Sequence, residues 1–302
     1  MTFGNVIQGS AQALFRILFG FLILPWNTNG LILGTTIAII ITTTYYIYQL
    51  KSKLRSIISN MPNILEIKTT LIRHRYFPLY DAPAQLLSFA AFNLPLIILS
   101  LYFSMADIGC YSMILQLLLI PMSFIGSAMG KVYYKQISVA PKYGEDIKRL
   151  TIQSLRLTSY ISILPLLFIA LGGDYILVAF LGAKWHMAGN IALCLAIWSF
   201  PTVLTQPMLS IFRVYSRQSY LLVNNLVYFT LGITSIIITA SIFHNLLLSV
   251  LLFAIIGAIM KFCLFYKIMR LGKLSISNLP RIALFLWAIG IICLSVRIYY
   301  IW

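Results

Sequence analysis

Apolar runs about one bilayer thick alternate with short polar connections along this chain, and the connections fall into two sets of opposite character. One set is crowded with Lys and Arg; the other is almost empty of them. An α-helix needs ~20 apolar residues to cross the hydrocarbon core, and cations gather in the loops on the cytoplasmic side. The pattern therefore dictates an all-α, polytopic membrane helical bundle and orients it as well.

Composition bears this out and excludes alternatives. Hydrophobic residues make up 61% of the 302 and charged ones 9%, whereas a soluble domain carries roughly a quarter charged. So much apolar surface has no single core to enter, and lipid must be its solvent. The net charge of +16 would suit a nucleic-acid binder, but these cations lie in short segments between apolar runs, so the expectation is no nucleic acid. Cys110, Cys194, Cys263 and Cys293 sit far apart in or beside apolar runs, and His74, His186 and His244 share no ligand spacing. No disulfide framework, metal site or cofactor is expected. Met1–Asn5 has no basic stretch before the first apolar run, so a removable signal peptide is not expected.

Nine spanning cores can be drawn, at 5–25, 29–50, 80–103, 108–130, 155–173, 187–211, 219–243, 246–266 and 281–301. The connection at 51–79 carries Lys51, Lys53, Arg55, Lys68, Arg73 and Arg75. The next of its set carries Lys131, Lys135, Lys142, Lys148 and Arg149; then come Arg213 and Arg217, and finally Lys267, Arg270, Lys273 and Arg281. The opposite set, Pro25–Thr28, Ser104–Asp107, Gly172–His186 and His244–Asn245, holds one lysine, Lys184. The first set is thus cytoplasmic, with the N-terminus inside and the C-terminus outside. Within 51–76, Leu54, Ile57, Ile58 and Met61 recur at helical spacing among cations, which reads as an amphipathic helix on the inner leaflet. The apolar stretch 176–181 is too short to span and is expected to dip into the outer interface.

No enzyme signature appears: no Gly-rich phosphate loop, no HExxH, no GxSxG. The six carboxylates leave little for acid–base chemistry, and the expectation is that the chain is not an enzyme. The candidates are polar groups at membrane depth. Arg16 lies near the middle of the first run, where a cation costs at least ~2.5 kcal/mol unless it faces protein or water. Gln8 and Gln12 precede it by eight and four residues, so the three share one helix face that either lines a lumen or bonds neighbouring helices. Asn93, Gln116 and Gln206 add polar groups in mid-span. Pro95, Pro121, Pro201 and Pro207 accompany them, and proline in a spanning helix frees carbonyls and permits the bends that gates use; static kinks are the other reading. Asp81, where the third helix starts, reads as a gate, as a partner for Arg73 or Arg75, or as a carboxylate favoured by the helix dipole. Lys261, close to the end of the eighth core, can snorkel and is set aside. Asn224 and Asn225 are ambiguous.

The stretch Arg75-Tyr76-Phe77-Pro78-Leu79-Tyr80-Asp81-Ala82-Pro83-Ala84-Gln85-Leu86-Leu87 resembles the start of the seventh helix in bacterial polysaccharide flippases of the multidrug/oligosaccharidyl-lipid/polysaccharide exporter superfamily. Pro121-Met122-Ser123-Phe124-Ile125-Gly126-Ser127-Ala128-Met129-Gly130-Lys131-Val132-Tyr133-Tyr134 is similar to that family's eighth helix and its exit. Phe180-Leu181-Gly182-Ala183-Lys184-Trp185-His186-Met187-Ala188-Gly189 resembles an outer loop in which a Gly, a Trp and an Ala-Gly recur. The resemblance implies two lobes of about six helices around a cationic cavity, and translocation of undecaprenyl-diphosphate-linked oligosaccharide (an O-antigen or capsule repeat unit) across the bacterial inner membrane. It implies that residues 1–50 are the last two helices of an incomplete N-terminal lobe, 51–78 a cytoplasmic amphipathic linker, 79–270 the C-terminal lobe and 271–302 an extra helix. The family's first four helices are missing from this alignment, so a partner, a second copy or an upstream segment is expected to supply them. The implied partners are the lipid-linked oligosaccharide, membrane lipid and other membrane proteins of polysaccharide assembly. Substrate binding falls to Arg16, Gln8, Gln12, Asn93, Gln116 and Gln206, and gating to Asp81, Pro95, Pro121 and Pro207.

Two rival functions stay open. A drug or small-molecule exporter of the same superfamily would more often carry a carboxylate in mid-helix. A polymerase or assembly scaffold would be expected to carry a large outer loop, and the longest here is about 15 residues.

Overall fold

In a computed structural model of the chain, the described residues are 36–48, 63–140, 145–173, 185–275 and 279–301, with isolated positions elsewhere. All regular structure among them is helical. The chain divides into two compact units, Met1–Arg73 and His74–Trp302. The first core, with Gln8, Gln12 and Arg16, lies outside the described residues, as do Leu54, Ile57, Ile58 and Met61 and most of the 176–181 stretch.

In the first unit, α1 (Thr36–Tyr48) is apolar. Its threonines Thr43 and Thr44 donate to the carbonyls of Ile39 and Ile40 four residues back, so neither hydroxyl is left unmet on an apolar helix. The helix α2 (Ile64–Arg73) has no buried residue. Ile64, Leu65, Leu71 and Ile72 fall on one side of it, and Glu66, Thr69, Thr70 and Arg73 on the other. Lys68 lies on the apolar side among them, and the residues that carried the expected amphipathic helix, Leu54, Ile57, Ile58 and Met61, are outside the described ones. Glu66 belongs to the first turn of this helix.

The second unit is a helical lobe. Among the described residues, six helical segments are long and apolar enough to cross a membrane: Phe77–Leu99, Met105–Val139, His186–Met208, Gln218–Phe243, Leu246–Leu271 and Arg281–Tyr300. Their regular α-helices are α3 (Ala82–Leu99), α4 (Met105–Val139), α6 (His186–Thr205), α8 (Gln218–Ile238), α9 (Leu246–Leu271) and α10 (Arg281–Ile301). The expected core at 155–173 is the second half of α5 (Glu145–Phe168) and a π-turn, Ile169–Gly173. Along α5, Thr151, Thr158, Ser159 and Ser162 are fully buried and lower its apolar character. Each donates to a carbonyl of its own helix, and the Ser159 carbonyl also accepts from Trp287 Nε1 of α10 at 3.3 Å.

Local chemistry sets the helix ends. Ser104 caps α4, accepting from Asp107 N at 3.2 Å and donating to its Oδ2 at 2.7 Å, a reciprocal capping pair. At the other end α4 runs well past the expected boundary at 130, because nothing in Lys131–Val139 breaks a helix. It stops where Ala140 turns extended (φ −67°, ψ 144°) ahead of Pro141. Asn245 caps α9 by accepting from Leu248 N at 3.1 Å.

At the centre lies α6, which packs against α4, α5, α9 and α10. Within its span 83% of residues are buried, against 22–44% for the other five, so lipid touches it least. Its small residues Ala188, Gly189, Ala192, Ala196 and Ser199 allow neighbours to approach closely. At its far end Pro207 ends the regular α-helix in a 3-10 turn, Gln206–Met208, followed by the short α7 (Ile211–Val214).

Candidate functional site: a polar cavity in the lobe

Five helices of the lobe line a half-open cavity of about 510 Å³. Its floor is the end of α6, with Trp198, Thr202 and Gln206. Gln85, Ser88 and Asn93 line it from α3, and Leu119, Met122 and Ser123 from α4. Tyr228 of α8 and Lys261 of α9 complete it. Its residues lie toward the helix ends joined by the cationic connections.

Two glycines make room for these side chains. A Cβ on Gly126 of α4 would fall 2.7 Å from Cγ of Gln206, so its absence lets the Gln206 chain lie across that helix. A Cβ on Gly257 of α9 would fall 2.5 Å from Cδ1 of Trp198 and 3.1 Å from both its Nε1 and Cε2 of Tyr228. That glycine seats both aromatic walls, and Lys261 follows it by one helical turn on the same face. Phe92 flanks the indole, with ring centroids 6.2 Å apart.

The polar groups differ in how they are satisfied. Thr202 donates to the Trp198 carbonyl at 2.8 Å, and Asn93 Nδ2 to the Phe89 carbonyl at 2.8 Å, which leaves the Asn93 amide oxygen to accept. Trp198 Nε1 is buried and has no acceptor. Among the described residues, the one ion pair is Arg213–Asp81, so no described carboxylate neutralises Lys261. An ammonium therefore serves the cavity, while the indole N–H is shut against Gly257. A cation without a described carboxylate beside it attracts an anion or a ligand rich in acceptor oxygens.

The sequence candidates scatter around this site. Asn93 and Gln206 line it; Gln116 is exposed on α4, about one turn from Leu119, outside the lining. Pro95 lies buried inside an unbroken α3, and Pro121 inside an unbroken α4. Pro207 is the proline that coincides with a helix break. Asp81 finds its partner in Arg213 at 3.1 Å, not in Arg75, whose guanidinium lies over the Tyr76 ring at 5.5 Å. The break at Pro207 is what brings α7, and with it Arg213, beside the first turn of α3. Asn225 and Asn224 both tie helices together: the first donates to the Ala84 carbonyl at 2.8 Å, the second to the Met260 carbonyl at 3.2 Å.

Lys261 and Trp198 were missed from sequence. The expected core ended at 266, yet α9 continues to Leu271, so Lys261 lies ten residues from its end, ~15 Å along the axis. The last turns of that helix carry Lys267 and Arg270, so Lys261 sits less than two turns inside its cationic end, where it lines the cavity. A lysine inside an apolar run was the available signal.

A family model described as polysaccharide biosynthesis protein matches residues 30–190, more than half of the chain and including the α3 and α4 walls of the cavity. No curated protein and no solved structure matches.

Proposed function

The chain belongs to the family of polysaccharide biosynthesis proteins, and on that premise we propose that it translocates undecaprenyl-diphosphate-linked oligosaccharide, an O-antigen or capsule repeat unit, across the bacterial plasma membrane. The observation that carries this reading is the cavity of α3, α4, α6, α8 and α9. It combines amides and hydroxyls with aromatic faces and one cation inside a lobe of spanning helices. Sugars present hydroxyl edges and apolar faces together, and such a wall suits both.

On this reading the glycan occupies the cavity while the prenyl tail stays in lipid, and access alternates between the two leaflets. The N-terminus lies in the cytoplasm, because the cation-rich connections gather on that side. The cavity then opens toward the inner leaflet, where lipid-linked sugars are assembled. Arg16, Gln8 and Gln12 are proposed as further substrate-binding groups on their sequence alone. The Asp81–Arg213 pair and the Pro207 break are the elements that rearrange when the lobe moves. The chain moves its substrate without changing a covalent bond and acts as a transporter, not an enzyme.

A proteoliposome assay tests this. The full chain is reconstituted with lipid-linked oligosaccharide, and the glycan fraction open to an externally added, membrane-impermeant glycosidase is followed. Protein-dependent growth of that fraction beyond the outer leaflet's share is expected. Identical time courses with and without the protein would overturn the proposal.

A further inference from the structure

A second, half-open groove of about 320 Å³ lies between α4 and α5, and it shares no lining residue with the central cavity. Its floor is the buried Tyr133, whose hydroxyl lies 2.8 Å from Oγ1 of Thr151. That bond sets the register of two consecutive helices running in opposite directions. The apolar runs reach to 130 on α4 and begin at 155 on α5, so the groove straddles the edge of the hydrocarbon. On the hydrocarbon side Ala128, Met129 and Leu157 line it; nearer the connection come Gln136 and Gln153. Two positions beyond the Tyr133–Thr151 bond, Lys135 and Arg149 stand at one height, one on each helix, and both are exposed. Lys135 follows Ala128 by two turns and Arg149 precedes Gln153 by one, so each borders the groove. An apolar end, amides in the middle and cations at headgroup height are the chemistry of an amphipathic anion. A free anion would leave the apolar end unused, and lipid tails alone would leave the cations unused.

We propose that the α4–α5 groove binds one anionic glycerophospholipid, of the phosphatidylglycerol class, from the leaflet on the cation-rich side. Its phosphate sits between Lys135 and Arg149, and its ester region meets the amides of Gln136 and Gln153. One acyl chain starts along Ala128, Met129 and Leu157. Asp146, exposed one turn before Leu150, stands nearer the connection and accepts from the headgroup hydroxyls. The inference is independent of the translocation reading, in which this groove takes no part.

Native mass spectrometry of the delipidated full chain tests this, with phosphatidylglycerol, phosphatidylethanolamine or phosphatidylcholine of identical chains titrated in neutral detergent. The first phosphatidylglycerol adduct is expected at concentrations about tenfold below those of the other two, a factor of the order that two cations near a lipid surface supply. Lys135→Gln combined with Arg149→Gln should erase that preference. Arg270→Gln combined with Lys273→Gln, a pair exposed at another cation-rich connection, should leave it intact. Ala128→Trp fills the apolar end from an exposed position and should weaken phosphatidylglycerol binding at an unchanged unfolding midpoint. Equal adducts from phosphatidylethanolamine, whose ammonium suits Asp146, would overturn the proposal. Equal loss of preference in both charge-deleted pairs would overturn it too, by assigning the lipid to diffuse surface charge. So would undiminished binding in Ala128→Trp. Displacement of the lipid by glycerol 3-phosphate at the lipid's own concentration would assign the groove to a soluble anion and overturn it as well.

Discussion

Nε of Arg213 donates to Oδ1 of Asp81 at 3.1 Å, joining residues 132 positions apart. The pair closes the first turn of α3 onto the short α7 that follows the helix break at Pro207, and the Asn225–Ala84 hydrogen bond braces the same turn from α8. Neither side chain is fully buried, so the contact can open without stranding a charge in lipid. Asp81→Asn and Arg213→Gln should each lower transport, and the double exchange Asp81→Arg with Arg213→Asp should recover part of it. A double-mutant cycle on unfolding should show coupling of about 1 kcal/mol; additive effects would mean that the pair does not act as a unit.

The two cavity glycines should respond differently to alanine. Gly257→Ala drives a methyl into the Trp198 ring, which cannot move without displacing its packed neighbours. Overpacking of this kind costs about 1–3 kcal/mol, to be read as a lower unfolding midpoint with loss of transport. Gly126→Ala meets the flexible chain of Gln206 instead. It should leave the midpoint nearly unchanged while displacing that amide from the cavity.

Removing the cap of α4 isolates a local contribution. Ser104→Ala deletes the acceptor for Asp107 N and the donor to its carboxylate. A loss of about 1 kcal/mol is expected in reversible unfolding, with Ser104→Asp retaining most of the stability.

Water should reach the cavity but not the lipid face of the lobe. In a background with the four native cysteines replaced, a cysteine at Asn93 or Gln206 should react with a small water-soluble thiol reagent. One at Phe285, exposed on α10, should not, because reaction needs a thiolate and lipid suppresses ionisation.

Period, loop charge and helix breakers made the lobe legible before any coordinates. The runs at 219–243 and 281–301 coincide closely with helical segments, since their ends are marked by charge or by Asn and His. Asn93 and Gln206 were legible for a related reason: polar side chains inside apolar runs have few inexpensive places to go. Trp198 was not, because an aromatic in an apolar run looks like packing until Gly257, far along the chain, clears the space beside it. The Asp81 partner was not legible either, since it depends on a change of direction after Pro207 that composition does not encode. Lys261 was set aside because a lysine near a cationic helix end can snorkel, and nothing local in the sequence shows the cavity beside it.

The central claim is that the glycan passes through the cavity that Gln206 and Lys261 line. Photocrosslinking tests it most directly: a photoreactive amino acid is placed at Gln206 or, as a control, at Phe285, in membranes loaded with radiolabelled lipid-linked oligosaccharide. The account predicts a glycan adduct from Gln206 and none above background from Phe285. Adducts of equal yield from both positions, or from Phe285 alone, would contradict it.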